Sequence, residues 1–335
     1  MKKVLLLSTG GTIASIKTEK GLTPGRFSRE LLEYIPQVKY FAEVTAKDLL
    51  NIDSSNMQPE DWLEIAKEIV RNYNDYDGFV ITHGTDTMEY TSSALTYLLK
   101  NLSKPVVLTG SQKSIEEPLG DANRNLIDAV RFACEDISGV FVAFCGKIIN
   151  GPRAKKINSK SYDAFDSINY PVVASVKENY VCYHERACQD FEPSLSSYNG
   201  QVYCEDQIVP DVNLLKLVPG LDPGLIKEIS KHCRGMVIES FGLGGLSDRK
   251  RNMFDALENA LNRGIYIAIT TQVLREGIEL GTYALGDKVT NLKVISGKDM
   301  TPSALVVKMM WALAKNQNFE ELKKVIHTPI QKDIY

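Results

Sequence analysis

Four short segments of this chain gather hydroxyl, carboxylate and amine groups directly after apolar runs. The first is Ser8-Thr9-Gly10-Gly11-Thr12-Ile13, where two glycines let the backbone turn sharply and approach a ligand closely. The Thr12 hydroxyl would then face a cleft. A tight turn with a capping threonine would use the same residues, and so would a phosphate-binding loop, although neither G-x-G-x-x-G nor G-x-x-x-x-G-K-[ST] is present. The second is Ile81-Thr82-His83-Gly84-Thr85-Asp86-Thr87-Met88, which ends one apolar run and opens a helix. Thr85 or Asp86 suits an N-cap, which explains one polar residue and not their density. A helix N-terminus also favours a nearby negative charge, either a ligand carboxylate or a developing oxyanion. His83, a lone imidazole beside a glycine at a strand end, is expected to be structural rather than a base.

The third segment, Asp53-Ser54-Ser55-Asn56-Met57, follows the run Val44–Ile52. Its carboxylate and small hydroxyls suit the ammonium and carboxylate of an amino acid, and a solvated loop would read the same way. The fourth is Arg153-Ala154-Lys155-Lys156. A desolvated lysine can lose its proton and act as a base, a neighbouring aspartate favours the charged form, and surface lysines on a loop are the plain alternative.

The elements that must position these groups follow from periodicity. Val4–Ser8, Gly78–Thr82, Val106–Thr109 and Gly139–Phe144 read as strands. Asp61–Tyr73 places Trp62, Ile65, Ala66, Ile69 and Val70 at helical spacing, and Thr87–Leu99 and Leu119–Ala133 are also helix-like. Strands alternating with such helices imply βαβ units, a parallel sheet and helices on both faces. Ligands of such sheets bind beyond the carboxyl ends of the strands, where the four segments fall. The polar, turn-rich stretch around Phe191–Val209 is expected to be a linker. A second alternation follows, with strands at Leu214–Val218, Met236–Ser240 and Ile265–Thr270 and helices at Pro223–His232, Asp248–Asn262, Ser303–Lys315 and Phe319–Ile326. The expected fold is α/β with two domains, each a mostly parallel sheet flanked by helices. The larger N-terminal domain spans 1–190 and carries the threonines, the linker 191–210, and the smaller C-terminal domain 211–335, which would contribute to an oligomer interface.

The 335 residues favour two cores over one. A net charge of −3 leaves no basic footprint for nucleic acid, and no basic amphipathic helix marks a membrane surface. Met1-Lys2-Lys3 before leucines resembles a signal-peptide start, but the apolar run is short and Gly10-Gly11 follows at once, so it reads as a buried strand. No apolar stretch approaches a bilayer span, and a cytoplasmic location is expected. The six cysteines include no C-x-x-C pair and read as free thiols. Cys182, His184, Cys188 and Cys204 match no zinc spacing.

Taken together, the segments resemble bacterial and archaeal L-asparaginases, the cytoplasmic branch in particular. The resemblance rests on Thr9-Gly10-Gly11-Thr12-Ile13-Ala14, His83-Gly84-Thr85-Asp86-Thr87-Met88, Asp53-Ser54-Ser55 and Lys156. Similar stretches continue through Asp75-Tyr76-Asp77-Gly78, Leu108-Thr109-Gly110-Ser111, Tyr162-Asp163-Ala164-Phe165 and Gly297-Lys298-Asp299-Met300-Thr301, so it covers essentially the whole chain. It implies that Thr12 attacks the side-chain amide of asparagine, that an acyl-enzyme forms and ammonia leaves, and that water then releases aspartate. Thr85, Asp86 and Lys156 would move protons, backbone N–H groups near Gly11 and Thr85 would hold the oxyanion, Asp53, Ser54 and Ser55, with Asp86 sharing the ammonium, would bind the substrate α-groups, and Gly11 and Gly84 would also line the substrate. It also implies a homodimer or homotetramer and no metal or organic cofactor.

Two departures stand out. Many members carry a tyrosine in the loop after the first motif, whereas this loop reads Glu19-Lys20-Gly21-Leu22-Thr23-Pro24-Gly25, with Leu22 at the corresponding place. Tyr283 resembles a tyrosine that in some relatives reaches a neighbouring protomer's site, and is a candidate helper. Some cytoplasmic relatives bind allosteric asparagine through an arginine where this chain has Glu239, so hyperbolic kinetics are expected. Glutamine is the rival substrate, since one methylene is worth only about 1–3 kcal/mol. A related domain in an archaeal tRNA-dependent amidotransferase follows an extra N-terminal domain, for which the start at Ser8 is expected to leave no room. A non-catalytic amino-acid sensor on the same scaffold is the alternative of another class. The joint presence of Thr12, Thr85, Asp86 and Lys156 favours an enzyme over it.

Overall fold

The computed structural model describes residues 1–18, 21–25, 28–178, 180–191, 200–280, 289, 292–315 and 318–335. The chain divides into two compact units, Met1–Asp206 and Gln207–Tyr335. The first therefore runs past 190. Tyr203–Cys204, within the expected linker, pairs antiparallel with Leu99–Lys100.

The first unit is built on an eight-stranded sheet. Its parallel part consists of β1 (Lys2–Gly10), β2 (Ala42–Ile52), β3 (Gly78–Thr82), β4 (Pro105–Thr109) and β5 (Gly139–Phe144), in the spatial order β5-β4-β3-β1-β2. β1, β3, β4 and β5 are runs of mainly β-branched and aliphatic residues, and β3, β4 and β5 are buried at every position, as both faces of a parallel sheet are covered, whereas the longer edge strand β2 carries charged and exposed residues. Alternate residues point to opposite faces. Val4, Leu6, Val80, Val107 and Phe141 form one core with Leu31 of α1 (Ser28–Glu33) and with Leu126, Ala129, Val130 and Phe132 of α4 (Ala122–Ala133). α2 (Pro59–Arg71) and α3 (Met88–Leu98) pack on each other, and α3 lies on β5. The indole N–H of Trp62 on α2 donates to Thr91 Oγ1 on α3 (3.0 Å).

Beyond β5 the sheet turns antiparallel through β6 (Lys147–Asn150), then past a separate hairpin of β7 (Ala154–Lys156) and β8 (Phe165–Ser167), to β9 (Ala174–Lys177) and β10 (Tyr180–Tyr183). These four-residue and three-residue strands are too short for periodicity to announce. The expected helix from Leu119 begins at Ala122, because the Asp121 carboxylate is engaged by the preceding loop and Leu119 is 85% exposed.

The second unit is a four-stranded, fully parallel sheet of β11 (Val212–Lys216), β12 (Gly235–Ser240), β13 (Tyr266–Thr271) and β14 (Val294–Ser296). Among the described residues its helices include α5 (Gly224–Ile229), α6 (Met253–Asn262), α7 (Pro302–Leu313) and α8 (Phe319–His327). The helix expected from Asp248 starts only at Met253, because Asn252 caps it by accepting the Phe254 N–H at 2.9 Å. α7 is buried on almost every face, and it carries a fully buried lysine, Lys308, whose ammonium meets Asp333 at 2.7 Å.

Candidate active site

The chain runs from β1 outward to β2 and then returns across β1 to β3, so the order of the sheet reverses between β1 and β3. In an open α/β sheet this switch point leaves a crevice at the carboxyl ends of the two strands. The loops that leave β1 and β3 there begin with the two threonine motifs.

Glycines let these loops meet. Gly10 and Gly11 have positive φ angles of 99° and 78°, and Gly11 N–H donates to Ile52 O at the end of β2 (3.1 Å). A Cβ on Gly11 would overlap the Gly84 backbone, and one on Gly84 would overlap Ser54. Thr87 Oγ1 donates to Ser54 O (2.7 Å), which ties the third segment to the second. Thr12 and Thr85, each following one of the touching glycines, therefore flank the same point. Thr12 opens a short 3-10 turn, Thr12–Ala14, and is half-buried. Ser15 Oγ and Ala14 N–H both donate to Gly11 O (2.9 and 3.2 Å), fixing the turn. The loop after β4 buttresses it: Ile115 N–H donates to Ile13 O (3.3 Å) and Ser114 Oγ to Ser15 O (2.6 Å). Asp121 shapes that loop by accepting N–H bonds from Gln112 and Lys113.

Lys156, at the end of β7, reaches the second motif. Its Nζ donates to Thr85 Oγ1 (2.7 Å) and to Asp86 Oδ1 (2.7 Å). The lysine is mostly covered, with 17% of its side chain exposed against 63% for Asp86. Two adjacent side chains and a lysine about 70 positions away thus form one hydroxyl–ammonium–carboxylate cluster beside Gly84. Glu89, which the sequence reading did not single out, completes it. This buried carboxylate accepts from Lys155 Nζ (2.7 Å) and from the Lys156 backbone N–H (2.9 Å). Its signal was a charged residue inside an otherwise apolar and hydroxyl-bearing helix.

In the third segment, Asp53 accepts from Ser55 Oγ (2.6 Å) and Ser55 N–H (2.8 Å), and these bonds hold its carboxyl below the usual range. Asp53 and Ser55 are exposed, whereas Ser54 is buried against Gly84. Leu22 lies on a two-stranded hairpin of Ser15–Thr18 and Gly21–Pro24, in register with Lys17. Tyr283 lies outside the described residues. No group of three or more His, Cys, Asp or Glu side chains among the described residues is arranged to hold a metal ion.

His83 is fully buried beneath these loops. Its Nδ1 lies 2.6 Å from Gly84 O and its Nε2 2.9 Å from Thr91 Oγ1. A carbonyl can only accept, so Nδ1 carries the proton and Nε2 accepts from Thr91, which in turn accepts from Trp62. Loss of water pushes the imidazole pKa down to about 4, outweighing the Gly84 carbonyl, which favours the proton. Below about pH 6.5 the unfolded chain takes up a proton that the fold refuses, so stability is lost from there down to about pH 4, by about 3 kcal/mol in all. Asp128 on α4 acts in the opposite sense. Burial, partly countered by Arg124, pushes it up to about 6, so its contribution is present below its unfolded value of 3.8 and is lost as pH rises through about 6. Denaturant unfolding across this range is expected to show a shallower acid-side loss in His83→Gln and a steeper one in Asp128→Asn. An unchanged slope in His83→Gln would remove the assignment of a neutral buried imidazole.

Known proteins are similar to this chain over nearly its whole length. Residues 3–189 match the family model described as asparaginase, N-terminal, and residues 211–326 that of the glutaminase/asparaginase C-terminal domain. The chain is similar to an L-asparaginase of Thermococcus kodakarensis, 38% identical over 333 residues and 99% of each protein. The structure of the thermostable L-asparaginase from that organism superposes with a TM-score of 0.91 over 99% of both chains. L-asparaginase I of Vibrio cholerae gives a TM-score of 0.87 at 30% identity, covering 100% of this chain and 99% of that one. A glutamyl-tRNA(Gln) amidotransferase component of Pyrococcus abyssi is 35% identical over 98% of this chain and 76% of that protein. With both family models matched in order and a switch-point site built from two touching threonine loops, the chain belongs to the asparaginase family of amidohydrolases.

Proposed function

We propose that this chain hydrolyses L-asparagine to L-aspartate and ammonia through an acyl-enzyme on Thr12. The observation that carries this reading is the Lys156 ammonium bonded to both Thr85 and Asp86, next to the Gly11–Gly84 contact. Thr12 Oγ1 attacks the side-chain amide carbon as Thr85 takes its proton, while the Lys156 ammonium gives a proton to the departing nitrogen and regains one from Thr85. The C–N bond breaks, ammonia leaves, and a water activated by the same groups cleaves the ester to regenerate the threonine. Backbone N–H groups of the two glycine turns hold the oxyanion, each worth about 3–4 kcal/mol in the transition state. Asp53, kept ionised by Ser55, and the exposed Asp86 receive the substrate ammonium. Ser54, buried on Gly84, walls the same pocket.

Ammonia release from L-asparagine and L-glutamine tests the reading. Turnover of asparagine is expected, with hyperbolic saturation because Glu239 stands where allosteric relatives carry an arginine. A Hill coefficient clearly above one would remove the Glu239 argument, and silence toward both amides would favour an amino-acid sensor. The likeness to the amidotransferase component supports a second reading, ammonia supply to a partner, which predicts turnover that rises on adding the partner enzyme and charged tRNA. We further propose a cytoplasmic homodimer or homotetramer. Among the described residues no helix is long and apolar enough to cross a membrane.

A further inference from the structure

We infer that Glu89 is the positioning residue that fixes where the Lys156 ammonium lies, and that α3 grips the lysine's segment at both ends to do so. The inference rests on the proposed role of Lys156 in proton transfer. Glu89, Ser92 and Thr96 stand at i, i+3 and i+7 on α3 and so share one face. That face meets the segment from Gly151 to Lys156. Ser92 Oγ donates to Gly151 O at the start of the segment (2.9 Å), and Glu89 Oε2 accepts the Lys156 N–H at its end (2.9 Å). Thr85, four residues before Glu89 in the turn that precedes α3, meets the Lys156 Nζ (2.7 Å). The same lysine is therefore held by its backbone and by its side-chain tip from neighbouring turns of one chain segment.

Chemistry singles out Glu89 within this grip. Its side chain is only 4% exposed, and its two oxygens serve different lysines, Oε1 the Lys155 ammonium and Oε2 the Lys156 backbone. A buried carboxylate needs such partners, and its place in the first turn of α3 adds the favourable helix dipole. The Ser93 hydroxyl donates to Glu89 O (2.7 Å), so the backbone that carries the carboxylate is itself fixed. Glu89 is not placed to touch the reacting atoms. It acts through Lys156.

The test uses the full-length protein and three variants. Glu89→Gln keeps the shape, but its NH2 must face either the Lys155 ammonium or the Lys156 N–H. We expect kcat for asparagine to fall roughly 10–100-fold with KM little changed, and the pH profile of kcat to move, as a misplaced proton carrier would cause. Lys155→Met leaves the Lys156 N–H bond in place and should keep kcat near wild type. In Glu89→Gln/Lys155→Met the amide oxygen can take the Lys156 N–H while its NH2 faces a thioether, so most of kcat should return. If the role were only the Lys155 ion pair, Lys155→Met would reproduce the loss and the double variant would not recover. That outcome, or a Glu89→Gln enzyme as fast as wild type with an unshifted pH profile, overturns the inference. Hydrogen exchange at the Lys156 amide gives a readout free of catalysis: it should speed up in Glu89→Ala and stay slow in Lys155→Met. A wild type that releases no ammonia while this exchange pattern holds would sink the proposed function and leave the positioning intact, whereas unchanged exchange in Glu89→Ala would sink the positioning alone.

Discussion

Thr12→Ala is expected to fold as the wild type does and to lose asparagine turnover by a factor on the order of 10⁴ or more. Retention of the fold follows from the setting of the side chain. Thr12 is half-buried, the turn is held by bonds to the Gly11 carbonyl, and no described residue hydrogen-bonds the Thr12 hydroxyl. The size of the loss follows from the role. Without Oγ1 no ester can form, and only oriented water, the oxyanion donors and substrate binding remain. Thr12→Ser keeps an oxygen at the same place and should retain measurable activity. Ammonia release and circular dichroism on the three proteins check both halves of the expectation. An alanine variant within about tenfold of wild type would move the nucleophile elsewhere, with Thr85 as the next candidate.

The largest effect on stability is expected in the second unit. Lys308 and Asp333 are both fully buried, and the ammonium bonds Asp333 Oδ2 (2.7 Å) and Thr328 O (2.8 Å). Asp333 Oδ1 also accepts the Ile330 N–H (2.8 Å), closing a turn in which Gln331 and Lys332 both have positive φ. One carboxylate thus neutralises a buried cation and holds two strained residues. Asp333→Ala leaves the ammonium without its counter-ion in an apolar helix, and should destabilise by about 3–5 kcal/mol. Replacing both partners, Lys308→Met with Asp333→Leu, should recover much of that loss, because a buried ion pair is often no better than apolar packing of the same volume. The two tryptophans make this measurable unit by unit, since Trp62 lies on α2 of the first and Trp311 on α7 of the second. Denaturant unfolding followed through Trp311 in a Trp62→Phe background should report the shift. A loss below about 1 kcal/mol in Asp333→Ala would show that water reaches the lysine.

The centre of the parallel sheet was plain in the sequence because β3, β4 and β5 are short, wholly buried runs. The runs expected at Gly78–Thr82 and Gly139–Phe144 match the observed strands residue for residue. The threonine motifs were equally visible, as they stand where such strands end. What could not be read was any pairing that depends on the path between distant segments. Lys156 reaches Thr85 only because β6 turns back antiparallel and a three-residue strand follows it, and neither element has the length to show a period. Neither Glu89 nor Asp121 was singled out, since acids near a helix start are common. Their carboxylates instead bind backbone N–H groups of other segments, a choice that local sequence does not express.

The touching glycines at the base of the site carry one more consequence. Gly11 against Gly84, and Gly84 against Ser54, leave no room for even a methyl group, so the floor beneath the two threonines cannot be raised or lowered by substitution. On the proposed reading, accommodation of a longer amide would come from the segments around this floor, namely the exposed Asp53 and Ser55 and the loop from Gly110 to Asp121 that braces the Thr12 turn. Selection or engineering for a new substrate would then alter the rim of the pocket and leave its floor unchanged, and variants that broaden the range of amides accepted should cluster in those two loops.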